Sequence, residues 1–163
     1  SFGIHFAFLF GNFIVSLVLS GPLGFLSGFR FFLIRFLLKL ESFSVGKGKK
    51  SKLMQKMLFE EPNESFSTKG STGFEWLSRD EEEVAKYVSD DKCGFVLTID
   101  SLSKMFEGMK LSQSAVMLKR IPRSLPISIL AGEDDPIHRK GAGISAMIKK
   151  YSQNGLEEVC VEI

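Results

Sequence analysis

The sequence is poor in the side chains that most often carry chemistry. Its 163 residues include only two histidines, two cysteines and one tryptophan. Cys93 and Cys160 lie far apart, with no CxxC spacing and no paired histidine. That excludes a recognisable metal or redox motif and is read as two buried thiols in a reducing, cytoplasmic setting, with no disulfide. No metal site and no cofactor is implied. Lys and Arg number 21 against 19 acids, a net charge of +2, so no excess of positive charge calls for a nucleic-acid partner. No internal repeat is present. Charge is missing altogether from residues 2–29, where only His5 can ionise.

That uncharged run raises the question of a membrane span, since about 18 or more consecutive apolar residues are enough for one. Gly3, Gly11, Gly21, Gly24 and Gly28, with Pro22, divide it, and Gly-Pro is turn chemistry. The segment therefore reads as a buried helix over residues 4–10 and a parallel strand over 14–19 covered on both faces. An amphipathic helix follows over 23–40. A transmembrane segment at residues 2–29 is the alternative.

What is present suits a folded domain: 44% of the residues are hydrophobic and 25% charged. The stretch SVGKGKKSK, residues 44–52, holds four lysines and no acid. It reads as an exposed loop, with attraction to an anionic membrane surface as its functional alternative. One or two helical turns are expected at 53–59 and a polar loop at 61–71. Ser78 followed by Glu81 reads as a capping box, and Asp100 or Ser101 as the cap of a second helix. Residues 125–130 read as a strand, 141–153 as a helix closed by Gly155, and 159–163 as a strand. Strand, helix, strand implies a right-handed crossover and a parallel sheet, hence an α/β fold.

The apolar run LPISIL leads straight into AGEDDPI, placing Glu133, Asp134 and Asp135 beyond a strand's carboxyl end. Sites in open α/β sheets lie there. A carboxylate in that place can orient a histidine and stabilise its charged form.

Three ordered blocks resemble a known family. FEWLSRDEEEVAKYVSDDKCGF, residues 74–95, is similar to the cap-region signature of α/β-hydrolase serine hydrolases of the monoglyceride lipase, lysophospholipase and serine aminopeptidase type. RIPRSLPISILAGEDDPI, residues 120–137, resembles the strand that delivers that family's triad acid, and LVLSGP, residues 17–22, the strand before the cap. The resemblance implies the C-terminal part of an α/β-hydrolase fold with an inserted, mainly helical cap. Residues 1–22 would be core, 23–118 the cap or lid, and 119–163 core carrying the acid. Asp135 is then the triad acid. The implied substrate is a small lipid or ester, monoacylglycerol or lysophospholipid-like, cleaved through an acyl-enzyme, with peripheral membrane contact through the cap.

The family's G-x-S-x-G elbow does not occur in this sequence. Ser1-Phe2-Gly3 could be its tail, making Ser1 the candidate nucleophile, but the distance to LVLSG fits better a Ser-Phe pair beyond the elbow. His138 stands three residues from Asp135, too near to fold back as the base, and His5 sits in an apolar segment. The sequence therefore reads as a fragment, inactive alone. A catalytically inactive relative that serves as an interaction protein is the other reading.

Overall fold

The computed structural model describes residues 2–68, 71–138 and 141–163. The chain divides into two compact units. One comprises the residues up to Phe32 together with Met105–Ile163, and the other Leu33–Lys104.

The first unit is built on three parallel strands in the order β1 (Leu17–Ser20), β2 (Ile127–Leu130) and β3 (Val159–Glu162). Helix α1 (Phe2–Phe10) precedes β1. The register aligns Ser20, Leu130 and Glu162, so all three carboxyl ends lie along one edge. β1 begins at Leu17 rather than at residue 14. Its ladder starts where Leu17 donates to the Pro126 carbonyl, and Pro126 has no N–H with which to extend it backwards.

One face of this sheet is covered and the other is not. Leu19, Ile127 and Ile129 are buried, in a core shared with Ile4 and Ala7 of α1 and with residues of a later helix. Val18 on the opposite face is 58% exposed. The expectation of a strand covered on both faces is thus corrected: the alternation of β1 runs in and out, as in a half-covered sheet. Cys160 is exposed and Cys93 half-buried, so the buried-thiol reading fails for both.

That later helix links β2 to β3. It spans Ala142–Gln153 and buries Ile144, Met147 and Tyr151 against the sheet. Gly155, at φ +86°, turns the chain out of it, and the Leu156 amide returns to the Tyr151 carbonyl in a Schellman-type closure. Burial pushes the Tyr151 phenol upward.

Helix α2 is Gly28–Val45, later at both ends than residues 23–40. Gly24 is left-handed at φ +71°, and Ser27 Oγ accepts from the Arg30 amide, so the helix starts only after Ser27. At the far end Gly46, at φ +92°, donates to the Ser42 carbonyl and ends it.

In the second unit a short helix, Lys52–Gln55, is capped by Ser51. It runs through a wide π turn, Lys56–Glu60, to Glu61–Asn63, further than the expected loop would allow. Asn63, 2% exposed, explains the extension. Its Nδ2 donates to Glu75 Oε2 at 2.7 Å and to Ser67 Oγ at 2.9 Å, and its Oδ1 accepts from the Trp76 amide at 3.0 Å. Burial works against ionised Glu75. The hydrogen bonds from Asn63 and from the hydroxyl and amide of Thr72 outweigh it and hold Glu75 down at about 2.

Helix α3 (Glu81–Ser89) is capped by Asp80, not by Ser78. Asp80 Oδ1 accepts from the Glu82 and Glu83 amides, while Ser78 Oγ accepts from the Asp80 amide one turn earlier. Helix α4 (Ile99–Ser112) likewise begins on Thr98, whose Oγ1 accepts from the Ser101 amide, in place of the expected Asp100 or Ser101. The first cap thus sits two residues downstream of the expected one, and the second two or three residues upstream.

The cap-region signature folds into a fastening. The Phe74 and Tyr87 rings pack at 5.2 Å, the Gly94 amide donates to the Tyr87 hydroxyl at 3.1 Å, and Gly94 is left-handed at φ +62°. A Cβ on Gly94 would stand 3.0 Å from Phe74 Cζ.

Candidate active site

β2 is the central strand, and the chain leaves its carboxyl end at Leu130 into the loop that holds the three acids. Glu133 and Asp134 are exposed, whereas Asp135 is half-buried. A turn closes the loop, with the Asp135 amide donating to the Gly132 carbonyl at 3.2 Å. Asp135 Oδ1 then accepts from the Ile137 amide at 2.8 Å across Pro136. This Asx turn fixes the carboxylate's rotation. The three acids are therefore not equivalent.

The neighbouring exit from β1 is held with comparable care. Gly21 donates to the Leu130 carbonyl at 2.8 Å, one residue beyond the ladder. Pro22 and Gly24 are buried, and the Phe25 amide donates to the Gly143 carbonyl at 3.0 Å. The Gln113 side chain brackets the same segment. Its Nε2 donates to the Gly24 carbonyl at 3.1 Å and its Oε1 accepts from the Leu26 amide at 3.2 Å, as a strand neighbour would. Nothing in the sequence marks Gln113, because an amide that pairs with backbone 89 residues away has no local pattern.

Of the candidate side chains read from the sequence, Ser1 lies outside the described residues, as does the side chain of His138. His5 is half-buried on α1, with its ring edge-on to Phe8 at 6.0 Å. Among the described residues no group of three His, Cys, Asp or Glu is placed to hold a metal ion. No described helix is long and apolar enough to cross a membrane. Residues 2–29 form α1, a 3₁₀ turn, β1 and the first residues of α2 in place of a spanning segment.

A half-buried acid beyond the central strand of a parallel α/β sheet is what the sequence blocks led one to expect. The family model for serine aminopeptidase, S33, matches residues 10–159. The chain belongs to this family. Its α/β-hydrolase fold also appears in solved structures. A highly thermostable carboxyl esterase from Bacillus coagulans, solved with glycerol, is 23% identical with a TM-score of 0.75, over 98% of this chain and 51% of its own. A lipase in an open form is 21% identical, also at a TM-score of 0.75, with the same coverage of 98% and 51%. The chain thus spans about half the length of these two hydrolases, at 51%. No curated protein matches it. The matched range spans β1, β2 and the loop of Asp135.

Proposed function

We propose that this chain is the part of a serine hydrolase that supplies the triad acid and the cap. The single observation that carries the reading is Asp135, half-buried and turn-fixed at the carboxyl end of the central strand in a chain matched to a hydrolase family. In the whole protein a serine from a G-x-S-x-G elbow would attack a carboxylic ester. A histidine would take the hydroxyl proton and pass it to the leaving alcohol, and water would then release the acyl-enzyme. Asp135 would hold that histidine in the productive tautomer and stabilise its charged form. By itself the 163-residue chain, which contains no G-x-S-x-G, would not turn over.

For the substrate we propose a monoacylglycerol or lysophospholipid-like ester. The cap would be residues 23–118, and the separate unit Leu33–Lys104 supports that division. Phenylalanine-rich helices suit an acyl chain, because burying each methylene is worth about 0.8 kcal/mol.

The test is Asp135→Asn in the complete protein, read as kcat/KM on a short-chain monoacyl ester. A fall of about 10⁴-fold is expected, with Asp134→Asn and Glu133→Gln within a few-fold of wild type. Unchanged turnover in Asp135→Asn would overturn the assignment.

A further inference from the structure

The chain that leaves β1 grips the loop of Asp135 at both ends. At the near end the Gly21 amide donates to the Leu130 carbonyl at 2.8 Å, where that loop departs from β2. At the far end the Phe25 amide donates to the Gly143 carbonyl at 3.0 Å, in the first turn of the helix Ala142–Gln153 that follows the loop. One short segment, residues 21–25, thus fixes where the acid's loop starts and where it stops.

That segment is itself held from outside. Residues 22–27 form neither helix nor strand, so their backbone groups need partners elsewhere. Gln113 supplies two: its Nε2 donates to the Gly24 carbonyl at 3.1 Å, and its Oε1 accepts from the Leu26 amide at 3.2 Å. A carbonyl only accepts and an amide N–H only donates, so the two contacts also set which way the glutamine amide faces. Gln113 reaches in from a well-tied turn. Its own amide donates to the Met109 carbonyl at 3.2 Å in α4, and the next residue, Ser114, caps the helix Ala115–Leu118. All of these groups belong to the first unit.

We propose that Gln113 is a positioning residue for Asp135. It holds residues 24–26 on the course from which the segment grips the acid's loop, and with the loop the carboxylate that would orient the histidine. A misplacement of about 1 Å can cost a reaction about 100-fold, so a brace this remote is felt at the reacting centre. The catalytic consequence rests on the hydrolytic reading of Asp135; the gripped loop does not.

Hydrogen exchange in the chain itself tests it, using Gln113→Leu, which keeps a similar volume without donor or acceptor. The Asp135 and Ile137 amides, bonded to the Gly132 carbonyl and to Asp135 Oδ1, should exchange about ten-fold faster or more, together with Phe25 and Leu26, while Met147 and Tyr151 keep their rates. Gln113→Glu still accepts from Leu26 but, ionised, cannot donate to Gly24, and should fall between. Faster exchange at Phe25 and Leu26 with Asp135 and Ile137 unchanged overturns the proposal. So does equal acceleration throughout, which would make Gln113 an ordinary stabilising contact. In the complete protein Gln113→Leu should lower kcat about ten-fold or more with KM nearly unchanged. Added to Asp135→Asn it should lower kcat by about two-fold or less, because both act through one carboxylate. Fully additive losses overturn the positioning role. Turnover untouched by Asp135→Asn would overturn the hydrolytic reading instead, and the exchange comparison decides the grip on the loop without it.

Discussion

Gly24 and Gly143 meet so closely that a Cβ on Gly24 would stand 2.7 Å from the Gly143 Cα. Gly24 is also left-handed, at φ +71°. Gly24→Ala therefore adds backbone strain of about 1–2 kcal/mol to a clash with main chain that cannot move aside cheaply. A loss of about 2–4 kcal/mol in urea unfolding is expected. Gly28→Ala, where a Cβ would meet nothing within 4 Å, should be neutral or slightly stabilising.

Asp80, as the cap of α3, answers two amides at once. Asp80→Ala should cost about 1 kcal/mol, read as a shift of the denaturant midpoint. Ser78→Ala should cost less. The reverse order would restore Ser78 as the cap.

Acid should loosen the second unit through Glu75. Its pKa is lowered from an ordinary 4.5 to about 2 in the folded chain. The stabilisation is therefore complete above about 4.5 and is lost as the pH falls from there through about 2. Melting temperatures followed over that range should decline more steeply in wild type than in Glu75→Gln. Parallel curves would remove Glu75 as the cause.

The hydrolytic reading rests on one carboxylate among three. Asp135→Asn should remove turnover from the complete protein while its melting temperature changes little, because the asparagine Oδ1 can still accept from the Ile137 amide. Loss of folding together with activity would make Asp135 a structural residue.

The sequence was most legible where chemistry is local. The strand over Ile127–Leu130, the helix over Ala142–Gln153 and its Gly155 closure follow from apolar spacing and turn residues close to where they were expected. That acids follow the end of β2 was legible because it is itself a local pattern, while the choice of Asp135 among them came from the family resemblance. What escaped was set at a distance. Pro126 trims β1 across the ladder, Asn63 is drawn into a helix by Glu75 and Trp76, and Gln113 pairs with backbone 89 residues away. Caps were misplaced by two or three residues, since several neighbouring side chains could serve.

The Phe74, Tyr87 and Gly94 fastening bears on how such a chain is recognised at all. A knot of this kind needs a ring, a hydroxylated ring and a residue without a side chain, at fixed intervals, so it writes a long legible line. The proposed triad takes a single residue from this chain. The most conspicuous phrase in the sequence therefore spells how the chain is tied, while the proposed chemistry is left to a single aspartate that its neighbours Glu133 and Asp134 nearly conceal.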